Sequence, residues 1–191
     1  MGCRMQHFVL GRCGAPLFGH APFSLLPAEF PAAELEKLLR RGSSVQLDAK
    51  LQAGGAGEID EGRALLEEEL EFTPGDADLL NASCWYDGIW DRVTEETIDR
   101  CTRAIEGLDN SLEALDSRAL ALFRLGRNDE ALRDLDRVLT IDPEMDGSRY
   151  LRGVIRSHSG DAAGAREDIE IVRWASPYTP RQYALWGLEP G

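Results

Sequence analysis

The chain has 191 residues, 43% of them hydrophobic and 29% charged, with a formal net charge of -13, a balance that suits one globular domain and excludes a disordered chain. No apolar run approaches the roughly 18 residues of a membrane span, so membrane insertion is not expected. The acidic excess, unbroken by any Lys/Arg cluster, argues against nucleic acid and anionic membrane surfaces and leaves basic or apolar protein segments as partners. Lys37 and Lys50 are the only lysines, every other basic residue being arginine, a bias that points to a GC-rich bacterial genome. The four cysteines, Cys3, Cys13, Cys84 and Cys101, are too sparse for a secreted disulfide scaffold, and a reducing cytoplasm is the expected location.

In chain order, residues 1-27 scatter Gly, Pro, Phe and His without helical or strand period and are expected to be disordered or loosely ordered. Arg12, Gly14 and Pro16 break any apolar signal core, so no targeting signal is expected. Cys3, His7, Cys13 and His20 carry the right atoms for zinc at the wrong spacing, so neither a metal nor any other cofactor is expected. Residues 28-56 read as N-terminal capping helices. Within 31–42, Leu35, Leu38 and Leu39 share one side and Arg40 and Arg41 close the C-terminal end; a weaker helix is expected at 45–54.

Residues 57-178 follow an internal period. Ala119, Gly126, Ala131, Leu135, Val138 and Pro143 recur at a constant offset of 34 residues as Gly153, Gly160, Ala165, Ile169, Val172 and Pro177. Small residues let two antiparallel helices approach, glycine makes the turn between them, and proline stops the second helix. Thr97, Cys101, Ala104 and Asp109 form a degenerate earlier copy, and Gly57, Gly62 and Pro74 a partial one. The spacing from Cys84 to Thr97 carries one extra residue, placed in the turn at 88–93. The register predicts helices at 60–71, 77–87, 95–107, 112–125, 129–141, 146–158 and 162–175. Residues 179-191 then read as a C-terminal capping helix and tail, with Pro180 at its first turn and Gly187 at its stop.

This pattern resembles the tetratricopeptide repeat (TPR) family, in its bacterial form, whose period and small-residue, glycine and proline signature it reproduces twice in strict register. The resemblance implies an all-α fold, an antiparallel helix-hairpin right-handed superhelix of about three to four repeats with short capping helices. It implies a non-catalytic interaction scaffold or adaptor that holds a peptide or partner segment in a concave groove lined by the first helix of each repeat. Carried over residue by residue, that groove holds Asn81, Trp85, Asp116, Leu120, Phe123, Arg124, Tyr150, Val154 and His158, with Glu113, Ser117, Leu151 and Ser157 beside them. Trp85, Phe123 and Tyr150 have the size of binding hot spots. The basic clamp with which some family members hold a C-terminal carboxylate is missing, since only Asn81 matches it and Asp116, Ser117, Gly147 and Leu151 do not. The alternative reading is a regulatory or assembly module of a larger bacterial enzyme or envelope system.

Other features have plainer readings. Ser157, His158 and Ser159 invite a catalytic triad, but neighbouring helix residues point about 100° apart and no carboxylate is placed to orient the ring, so no catalytic residue is expected. Cys84 and Cys101, on two helices of one hairpin, are expected to be packing residues rather than a disulfide. The acidic run Glu67, Glu68, Glu69 and Glu71 is expected on a solvated face, with Leu65, Leu66 and Leu70 inward. Tyr183 and Trp186 are open to docking on a second copy, which keeps a homo-oligomer in view.

Overall fold

The period of 34 residues builds helical hairpins because each copy places a small residue where two helices cross. The computed structural model describes residues 56–191; the N-terminal segment 1–27 and the helices expected at 31–42 and 45–54 lie outside them. The described residues form eight helices and no strand. In order they are α1 (Ala56–Phe72), α2 (Ala77–Ile89), α3 (Glu95–Gly107), α4 (Leu112–Arg124), α5 (Asn128–Ile141), α6 (Asp146–His158), α7 (Ala162–Ala175) and α8 (Thr179–Leu185). None is long and apolar enough to cross a membrane. Helices α2–α3, α4–α5 and α6–α7 pack as hairpins, α1 packs on α2, and α8 packs on α6 and α7.

The hairpin crossings explain the small residues. Ala119 and Ala131 are wholly buried, and a Cβ on Gly153 would lie 2.8 Å from Ile169 Cγ1 and 3.2 Å from Asp168 Cβ. The turns need glycine for a different reason, since Gly126 and Gly160 hold φ of 74° and 87°, a left-handed backbone that costs other residues roughly 1–2 kcal/mol. In both turns the residue after glycine donates back across the helix end, Arg127 N–H to Leu122 O and Asp161 N–H to Arg156 O, each at 2.9 Å, which satisfies a carbonyl the helix leaves open.

The α2–α3 turn differs. Helix α2 runs on to Ile89, two residues past its expected end, and Asp91 takes the left-handed conformation at φ 56°. Gly88 is therefore not a turn residue. It lies inside α2, where a Cβ would sit 2.9 Å from the Leu120 side chain, so it is the contact that lets α2 approach α4. Thr94 and Thr97 cap α3 reciprocally, and Thr97 Oγ1 also donates to the buried Asp87 at 2.8 Å.

Two expectations are corrected here. Cys84 and Cys101 are joined by a disulfide, with Cα atoms 5.3 Å apart. The same close crossing that small residues permit puts their sulfurs within bonding reach, so packing alone does not describe them. Glu67 is not on a purely solvated face either, because Arg100 Nη2 donates to its Oε2 at 2.9 Å and Arg100 Nη1 reaches Ser83 Oγ.

A polar tie also repeats with the period. Arg118 grips Asp134 through two bonds of 2.8 Å, and Arg152 grips Asp168 through bonds of 2.8 and 2.7 Å. Each arginine spends a further donor on the preceding repeat, Arg118 on Thr102 and Arg152 on Asp136. One side chain thus connects three helices, and the tie sits at equivalent positions in successive repeats. Between them Leu115, Leu120, Leu135, Val138, Leu151, Ile155 and Val172 are fully buried, each contributing about 1.5–3 kcal/mol of burial.

Candidate partner-binding groove

The first helices α2, α4 and α6 carry the residues expected in the groove, and their side chains fall into three groups. Asn81, Trp85 and Asp116 line an open pocket of about 340 Å³ between α2 and α4, together with Asp78, Ala82, Tyr86, Glu113, Ser117 and Met145. Leu120 and Val154 are wholly buried and do not line a groove; Leu120 is turned onto Gly88 and Val154 belongs to the shared core. Their helices bury a wider apolar stripe than the transferred pattern allows.

Phe123, Arg124, Tyr150 and His158 form the third group, and the chain's own C-terminal segment contacts it. Tyr183 of α8 is buried edge-on against Tyr150 at 5.2 Å between ring centroids. Trp186 lies at 90° to Trp85 with centroids 5.4 Å apart. Arg124 holds the crossing in place, its Nε donating to Gly88 O at 3.0 Å and its Nη2 to Trp186 O at 2.6 Å. Beyond it Leu188 is wholly buried, Ser157 Oγ donates to Gly191 O at 3.0 Å, and His158 Nε2 lies 2.9 Å from Glu189 O. His158 also packs against Phe123 at 5.6 Å. Tyr183 is thus buried against its own chain, and Trp186 half-buried there. The only sequence signal of this crossing is the clustering of Tyr183, Trp186 and Leu188 after Pro177, which does not say which helix they meet.

The electrostatics distinguish the open pocket. Asp116 is only 9% exposed. Burial pushes its carboxyl up to about 6, against the lowering effect of a 2.5 Å hydrogen bond from Ser148 Oγ, while the nearby Glu113 adds to the rise. Burial likewise raises the Tyr183 hydroxyl well above the ordinary tyrosine value, with the Asp116 charge adding to it. Asn81 Oδ1 is buried without a hydrogen-bond partner. Such an atom costs roughly 1–3 kcal/mol if left so.

Among the described residues no group of His, Cys, Asp and Glu is placed to hold a metal ion. The lining of the pocket combines aromatic, carboxylate and amide side chains. No curated protein matches this chain. Residues 112–145, which span α4, the turn at Gly126, α5 and Pro143, match the family model for the tetratricopeptide repeat. With the same crossing and turn residues carried forward 34 positions into α6 and α7, this is an all-α helical-hairpin repeat protein in which residues 112–145 are similar to the tetratricopeptide repeat.

Proposed function

We propose that the protein is a non-catalytic interaction scaffold that holds a segment of a partner protein at the open end of its concave groove, between α2 and α4. Tetratricopeptide repeats generally mediate protein–protein interaction, which supports the class of function. The observation that carries the reading here is the pocket lined by Asn81, Trp85 and Asp116, with an aromatic wall and an unsatisfied buried oxygen. A pocket of this kind binds through a few anchors rather than a large area. Phe123, Arg124, Tyr150 and His158 serve the site indirectly, by fixing residues 183–191 beside it.

The bond between Cys84 and Cys101 bears on location. It favours a compartment in which thiols are oxidised over the reducing cytoplasm expected from cysteine count.

Selection from a library of random linear dodecapeptides against the full chain tests the function. Specific binders whose affinity falls at least about tenfold, or roughly 1.4 kcal/mol, with Trp85→Ala and with Asn81→Ala are expected. Failure to select any binder, or binders indifferent to both substitutions while circular dichroism shows the variants folded, overturns the groove assignment.

A further inference from the structure

Four aspartates are buried among the described residues, Asp87, Asp116, Asp134 and Asp168, and three of them are met by arginine. Arg63 lies 3.2 Å from Asp87, Arg118 2.8 Å from Asp134 and Arg152 2.7 Å from Asp168. Asp116 has Ser148 and no cation. It is also the one of the four that lines the open pocket. The rim repeats the imbalance, because Asp78 and Glu113 are exposed there without an ion-pair partner among the described residues. Three carboxylates thus face one pocket whose lining contains no basic side chain. A buried carboxylate is ordinarily paired, because desolvation without a counter-charge is costly.

We propose that the missing cation comes from the partner, and that this pocket receives a single arginine side chain from a segment of another protein. The inference rests on the groove reading above and names the chemistry that the groove selects. Arginine fits for three reasons. Its planar guanidinium stacks on an aromatic ring such as Trp85 while its forked donors reach separate acceptors. Those acceptors are present as the carboxylates of Glu113 and Asp116, with Asp78 beside them on the same lining. Its methylene stem lies against the apolar wall of Ala82 and Met145, as long basic side chains do on apolar surface. A space of about 340 Å³ takes an extended side chain and not a folded element. The formal net charge of -13 steers basic segments toward the whole molecule, and this pocket meets them with carboxylates and no arginine of its own, unlike the pockets lined by Arg118 or Arg127.

The test is a titration of the isotope-labelled full chain, followed by nuclear magnetic resonance, with the end-blocked pentapeptide Gly-Ser-Arg-Ser-Gly. Its citrulline analogue, which keeps the shape and loses the charge, and spermidine serve as comparisons. The arginine peptide is expected to shift the Trp85 indole N–H and the Asn81 side-chain amide saturably. The citrulline peptide is expected to bind at least about tenfold more weakly, and the double substitution Asp78→Asn with Glu113→Gln to weaken the arginine peptide by about tenfold. Both substituted residues are exposed, so the variant keeps its fold and its spectrum. Equal binding of the citrulline peptide, no shift at Trp85 and Asn81, or indifference to the double substitution overturns the arginine assignment. Spermidine binding as strongly as the peptide overturns a protein segment as the source. The dodecapeptide selection separates the two readings: binders that need Trp85 yet carry no arginine sink this inference alone, whereas an absence of binders sinks the groove itself.

Discussion

Asp116, which the proposal assigns to recognition, also bears on stability. Its carboxyl is raised to about 6 in the fold, from an ordinary 3.8, so between those values the folded chain holds a proton that the unfolded chain releases. Stability is therefore lost as pH rises through this window, and above it the ionised form costs roughly 2–3 kcal/mol. The groups facing Asp116 are Ser148, Glu113 and Tyr183, none of them cationic. Asp116→Asn is expected to raise the urea midpoint at about pH 8 by an amount worth roughly 1–3 kcal/mol and to change nothing below about pH 4; the same substitution is expected to weaken the arginine peptide. At this scale the sequence is legible where a residue answers to geometry alone. Gly153 is one such position, and Gly153→Ala is expected to cost about 1–3 kcal/mol in chemical denaturation, because the added carbon has Ile169 at 2.8 Å. Leu120 and Val154 were misplaced because the repeat pattern fixes which turn of a helix a residue is on, while the width of the buried stripe depends on how closely the neighbouring helices approach. Gly88 draws α2 in, and Leu120 goes under.

Helices and their pairings were the most legible level, and the α2–α3 hairpin shows why the remainder was not. Its extra residue was visible as a spacing error, but whether it lengthened a helix or a turn depended on Asp91 accepting a left-handed backbone. The arginine–aspartate ties were present in the alignment of Arg118 with Arg152 and of Asp134 with Asp168, yet surface-type residues at a regular spacing do not announce that they are buried. Asp168 is 1% exposed and accepts from both Arg152 and Arg156. Asp168→Ala strands these charges and is expected to cost about 3–5 kcal/mol. Asp136→Ala, which removes only the exposed outer bond, is expected to cost under about 1 kcal/mol. Thermal melts of the two variants side by side measure the difference. The disulfide closes a loop with a sequence separation of 17, worth about 3 kcal/mol in the chain-entropy account. Dithiothreitol is accordingly expected to lower the denaturation midpoint of the native chain and to leave a Cys84→Ala/Cys101→Ala variant unmoved.

Across the whole molecule, the contact of Trp186 with Trp85 has a consequence for how the protein comes apart. Stacked helical hairpins ordinarily behave as a line of nearest-neighbour couplings, and such a line frays from its ends. Here residues near the C-terminus are bound to the first described hairpin through the two indoles, and Arg124 bridges Gly88 and Trp186 between them. That link closes α2–α8 into a ring, with α1 packed on α2 outside it. A ring has no free end from which to unravel, so α2 and α8 should exchange their amide hydrogens together with the central hairpin rather than ahead of it. Trp186→Ala is expected to reopen the line, with early exchange at both ends while α4 and α5 stay protected, and hydrogen-exchange mass spectrometry reads this directly. The same link joins residues far apart in sequence. Helices α2–α8 should consequently fold more slowly than local helical pairings alone would allow, and unfold as one cooperative unit.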